Sequence, residues 1–65
     1  MKIQETKAFK AMNATRQHIA LLKSNRNRIN NNVGIAKTIG LERWKEVATG
    51  LPEHWKAIVR ELAAQ

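Results

Sequence analysis

Apolar residues recur at helical spacing along most of this chain, and polar runs and glycines mark where one helix gives way to the next. Over residues 3–23, Ile3, Phe9, Met12, Ile19 and Leu22 fall near one stripe, widened by Ala8, Ala11, Thr15 and Ala20. Lys2, Lys7, Lys10, Arg16 and Lys23 line its flanks and outer face. Asn13 interrupts the pattern, because asparagine caps helices well and sits poorly inside them. The segment is either one long helix or a short N-terminal helix followed by a second one capped at Asn13, with residues 14–23 the firmer part.

Residues 24–32, SNRNRINNN, break the pattern. Five of these nine positions are asparagine, and Ile29 is the single apolar anchor. Asparagine competes for backbone hydrogen bonds and favours turns over helix, so the stretch reads as a polar hinge. Residues 33–39 then predict two turns of helix, capped by Asn31 or Asn32, with Val33, Ala36, Ile39 and Ile35 on the buried side. Gly40 suits the left-handed position that closes a helix. Gly34 inside this segment costs about 1 kcal/mol relative to Ala and offers an alternative turn.

Residues 41–49 predict another helix, with Leu41, Trp44, Val47 and Ala48 inward and Gly50 at its end. Pro52 opens the last helix at its first position, where a missing N–H is harmless. Glu53 follows in the first turn, which suits the helix dipole. Trp55, Ile58, Val59 and Leu62 make the cleanest apolar face in the chain, with Lys56, Arg60 and Glu61 outward. The result is an all-α fold, a small bundle of four or five short helices with a helix-turn-helix-like layout, in one domain spanning residues 1–65. Its expected core is Phe9, Met12, Ile19, Leu22, Ile35, Ile39, Trp44, Val47, Trp55, Ile58 and Leu62.

A 65-residue domain buries only about 60% of the surface its unfolded chain exposes, so stability rests on well-packed helices or on a partner subunit. No cysteine is present, and His18 and His54 stand far apart without a carboxylate cluster, so neither a metal nor any other cofactor is expected. No apolar run approaches the roughly 20 residues of a membrane helix, and the first ten residues lack the apolar core of a secretory signal. Cytoplasmic location is the expectation.

Charge narrows the function. The formal net charge is +7, with a pI near 10.7. Residues 1–40 carry eight Lys and Arg against Glu5 alone, whereas residues 41–65 balance four basic residues with four glutamates. So local an excess favours a polyanionic partner, most often nucleic acid. A soluble helical domain kept monodisperse by charge is the plainer account. The basic first helix could also meet an anionic membrane, but the polar remainder and the balanced last third argue against it.

The remaining constellations carry no expected chemistry. Glu42 and Glu46, one turn apart, sit beside Arg43 and Lys45 with no nucleophile in view, and neither histidine has a neighbour in sequence to orient it. No enzyme is expected. Trp44 and Trp55 each lie on the apolar stripe of a helix, which assigns them to the core rather than to stacking on bases.

Ala36-Lys37-Thr38-Ile39-Gly40-Leu41 resembles the centre of a Cro-like, phage-repressor-type helix-turn-helix. In that family a small residue stands four positions before the turn glycine and an apolar residue just after it. Arg43-Trp44-Lys45-Glu46-Val47 followed by Leu51-Pro52-Glu53 is similar to the way such proteins leave the recognition helix. The likeness covers roughly residues 30–60. It implies a small DNA-binding transcription regulator. A turn at Gly40 gives a recognition helix bearing Glu42 and Glu46; a turn at Gly34 exposes Lys37, Thr38, Glu42 and Lys45 instead. A third arrangement has the basic first helix and the Arg/Asn hinge make the contacts while the last two helices build the core. A homodimer is expected, because one such domain buries too little surface for a tight specific site. Arg26, Arg28, Lys37, Arg43 and Lys45 are the expected phosphate contacts, with Asn31 and Thr38 nearer the bases. RNA in place of DNA, or a small module that inhibits or adapts a larger protein partner, are the alternatives.

Overall fold

Where the sequence pattern puts a hinge, the structure has its longest helix. In the computed structural model, which describes all 65 residues, a 3-10 turn at Ile3–Glu5 precedes five α-helices: α1 (Lys7–Lys10), α2 (Ala14–Ala20), α3 (Lys23–Ile39), α4 (Leu41–Val47) and α5 (Glu53–Ala63). The expected all-α bundle forms, and its Cα radius of gyration of 10.9 Å is near the roughly 11 Å of a packed chain this long.

Residues 24–32 are not a hinge but the first half of α3, and neither Asn31 nor Asn32 caps anything, since both lie inside the helix. The inward line of α3 runs Asn25, Ile29, Asn32, Val33 and Ala36, at i, i+4, i+7, i+8 and i+11. Ile29 and Ala36 are buried; the others are half-buried. Two of the asparagines that argue against a helix in fact hold it. The Asn25 side chain donates to the Ile19 carbonyl at 2.8 Å, tying α3 to the end of α2 through an oxygen that also accepts the Leu22 N–H at 3.2 Å. Asn32 donates to the Arg28 carbonyl at 2.8 Å and accepts the Trp44 indole N–H at 3.1 Å. Tertiary docking thus outweighs a local preference worth only a few tenths of a kcal/mol per residue.

The N-terminal segment takes the second of the two arrangements foreseen, a short helix followed by one capped at Asn13, with a 3-10 turn added ahead of it. Thr6, fully buried, caps α1 by accepting the Phe9 N–H at 3.1 Å and itself donates to the Ile3 carbonyl at 2.8 Å. The next two free N–H groups of α1, on Lys7 and Ala8, donate at 2.8 and 2.7 Å to the carboxylate of Glu61 on α5. A four-residue helix that would not survive alone is therefore tied to the longest apolar face in the molecule. Asn13 caps α2 as expected, accepting the Arg16 N–H at 2.9 Å. α2 ends at Ala20, short of residue 23, and Leu22 precedes α3 with an extended backbone.

α5 packs chiefly on α3 and α1, and α4 packs on α3. Trp55, Ile58, Val59 and Leu62 are buried as their spacing predicts, each worth about 1.5–3 kcal/mol of transfer free energy or more for the ring. Pro52 has ψ 144° and caps α5 from just outside rather than opening it. Phe9 and Trp44 are also buried, and Met12 packs at the core edge.

Five expected core residues are exposed: Ile19, Leu22, Ile35, Ile39 and Val47. In α3 the inner line passes through Val33 and Ala36, which turns the neighbouring pair Ile35 and Ile39 about a quarter-turn or more away. In α4 the inner line is Leu41, Trp44 and Ala48, so Val47 stays 55% exposed. Ile29, Ala20 and Leu51 fill the core in their place.

Gly40 alone separates α3 from α4. Its N–H donates to the Ala36 carbonyl and its own carbonyl accepts the Trp44 N–H, both at 2.9 Å. At φ 91° and ψ 149° it lies beyond the left-handed helical region, in backbone territory almost confined to glycine. Gly34, the other proposed turn, is mid-helix and exposed, with open space where a Cβ would go.

Two expectations follow for denaturant unfolding. Gly34→Ala should stabilise the protein by about 1 kcal/mol, whereas Gly40→Ala, which meets no clash, should cost about 1–3 kcal/mol through backbone strain alone. Trp44→Phe should cost about 1 kcal/mol more than Trp55→Phe, because the Trp44 N–H is bonded to Asn32 while the buried Trp55 N–H has no protein partner. The reverse order would mean that the Trp44–Asn32 bond adds nothing.

Candidate nucleic-acid interface

Continuity of α3 brings together residues that the sequence divided between a hinge and a helix. Arg26, Arg28, Asn31, Lys37 and Thr38 all lie on it and all are exposed. The helix carries four basic residues, Lys23, Arg26, Arg28 and Lys37, and no acidic one. Its outward stripe runs Asn27, Asn31, Gly34 and Thr38 at i, i+4, i+7 and i+11, with Lys23 and Asn30 alongside. Arg26 and Lys37 flank one side of this stripe, Arg28 and the apolar pair Ile35 and Ile39 the other. Without a side chain at Gly34, a shallow depression opens among Asn30, Asn31, Ile35, Thr38 and Ile39.

Neighbouring groups restrict some of these side chains. The Arg28 guanidinium lies 5.6 Å from the Trp55 ring centroid, a cation–π contact that parks it over α5. The Thr38 hydroxyl donates to the Gly34 carbonyl at 2.9 Å, so only its lone pairs remain for a partner. On the opposite flank Lys2, Arg26 and Asn30 line a second polar hollow, closed by Met1, Ile3 and Gln4.

Arg43 and Lys45 belong to α4 and are likewise exposed, on a different surface. Lys45 pairs with Glu42 at 3.5 Å, and Glu46 stands exposed beside them. The outer surface of α4 is thus of mixed sign, and the uninterrupted positive surface is that of α3. Elsewhere Glu53 pairs with Lys56 at 3.2 Å and Glu61 is engaged by α1, and none of the five glutamates lies on α3.

Of the two turn positions open in the sequence, Gly40 is the break and Gly34 is not. The one-residue corner at Gly40 is tighter than the three or four residues usual between the helices of such a motif. Lys2, Asn27 and Asn30 were missed by sequence reasoning. The i+3/i+4 spacing of the two asparagines would have found them had residues 24–32 been read as helix; nothing local points to Lys2, which reaches Arg26 only through the fold.

Other chemistry has little to build on. No three His, Asp or Glu side chains come together as metal ligands, and His54 packs edge-on to the Trp55 ring at 5.9 Å. No helix is long and apolar enough to cross a membrane. Searches of protein-family models, of curated proteins and of solved structures found no match to this chain.

Proposed function

We propose that this protein is a small DNA-binding regulator that docks the outer face of α3 on the duplex. One observation carries the reading: an exposed helical face with three free cations on it or at its edge, Lys23, Arg26 and Lys37, no anion and a run of side-chain amides. Phosphate contacts supply most of the affinity of such proteins, and amide and guanidinium groups are their usual base-edge donors. Arg26, Lys37, Lys23 and Lys2 hold the phosphates. Arg28 joins them when it leaves the Trp55 ring. Arg43 and Lys45, beside Glu42 and Glu46, make at most outlying contacts. This keeps half of the third arrangement: the Arg/Asn segment makes the contacts while α4 and α5 build the core, but of the basic residues expected on the first helix only Lys2 and Lys23 join it.

A second reading, a module that docks on a larger protein, is favoured by Ile19 and Leu22, large apolar side chains left exposed where α2 meets α3. The same residues are available to a second copy of this chain, which would supply the dimer that a tight specific site calls for.

Fluorescence anisotropy with a generic duplex, from roughly 50 to 200 mM salt, separates these readings. Binding should weaken linearly in log–log form, and Arg26→Ala and Lys37→Ala should each weaken binding to all sequences alike and lower the slope by about one. Unchanged slopes would place the contacts on another face. No binding at low salt would leave the protein-docking module as the better reading.

A further inference from the structure

Six asparagines divide cleanly by position. Asn13, Asn25 and Asn32 each make a side-chain hydrogen bond that caps a helix or joins two of them. Asn27, Asn30 and Asn31 make none within the protein and all three are exposed on the outer side of α3, the adjacent pair Asn30 and Asn31 one turn beyond Asn27. Asparagine ranks low for helix interiors and glycine lower still, yet this face strings three unengaged asparagines ahead of Gly34. The chain gives up helix stability here with no contact in return. A local rule broken without structural compensation is the mark of a site selected for something other than folding.

Resting on the DNA-binding reading above, we propose that Asn27, Asn30 and Asn31 read adenine in the major groove. A carboxamide carries one acceptor and two donors, so it can accept from the adenine N6 amino group while donating to N7. Guanine offers two acceptors at the same edge and leaves the amide oxygen unmatched. Little else on the stripe favours another base: the arginines stand on its flanks, α3 has no carboxylate to take the cytosine amino group, the Thr38 hydroxyl proton is held by the Gly34 carbonyl, and Lys23 lies at the first turn, ahead of the amides. Ile35, beside the depression at Gly34, offers an apolar surface to the methyl of the paired thymine. The absent Cβ of Gly34 lets the helix approach the groove floor, and the hollow lined by Lys2 and Arg26 seats a backbone phosphate to one side. α3 is roughly 25 Å long and fits a B-form major groove but not the deep, narrow one of an RNA duplex.

The test uses the full chain with duplexes of equal length, A·T-rich or G·C-rich, and A·T-rich duplexes in which deaza-adenine lacks the N7 acceptor. The native protein should favour the A·T-rich duplex by roughly tenfold or more and lose most of that preference with deaza-adenine. The N27A/N31A double variant and N30A should bind both duplexes with similar affinity, keep the salt dependence and unfold at no lower denaturant concentration than the native protein. Uniform affinity of the native protein for all duplexes would overturn this proposal and leave the DNA-binding reading standing. So would a preference that survives the asparagine variants or deaza-adenine, or an equal one on RNA duplexes of the same sequence. Absence of binding to any duplex at low salt would overturn both.

Discussion

The packing of α5 against α3 decides where every other element can sit. α5 brings the one uninterrupted apolar face in the chain, and α3, with Ile29 and Ala36 buried, packs against it. From that seam Glu61 reaches out to hold the two free N–H groups at the start of α1. Asn32, at the edge of the seam, holds the Trp44 indole and with it α4. Neither α1 nor α4 is long enough to persist as an isolated helix. Both exist because the α3–α5 pair offers each a buried side chain position and a hydrogen bond.

The same seam sorts the polar residues of α3 into two groups. Amides that turn inward satisfy carbonyls or an indole and become part of the scaffold. Amides that turn outward are left with free hydrogen-bonding capacity on a rigid helix, which suits recognition better than the same residues on a loop. Charge is sorted alongside them. Three of the five glutamates engage lysines of α4 and α5 or the start of α1, and none lies on α3, whose charged residues are all positive. A positive face with rigid amides at its centre is therefore a product of how the bundle packs, not of composition alone.

Legibility in the sequence followed the number of independent signals at each element. α5 had a proline at its start, an acidic first turn and an unbroken apolar face, and its burial came out as read, with Pro52 one position outside the helix instead of first in it. The Asn13 cap and the helix from Leu41 were legible for similar reasons. Five of the seven expected contact residues do share one helix, yet their common face was hidden because the Asn-rich stretch was read from intrinsic preference. Two of the positions that face inward there are asparagines, so apolar periodicity alone shows only Ile29. Asparagine suits a loop, a cap or a buried hydrogen bond equally well, and its choice depends on what stands opposite.

The amino-acid sequence by itself determined that the chain is helical, that a break falls at Gly34 or Gly40, that the last helix is amphipathic and that the positive charge lies in the first forty residues. These follow from local chemistry: backbone freedom, capping, periodicity and formal charge. Tertiary structure decided that α3 is continuous and which stripe of each short helix turns inward. Val33 and Ala36 compete with Ile35 and Ile39, and Ala48 with Val47, as nearly equal apolar stripes on the same helix. Which stripe wins depends on the shape and hydrogen-bonding groups of the helix packed against it, and that partner is distant in sequence.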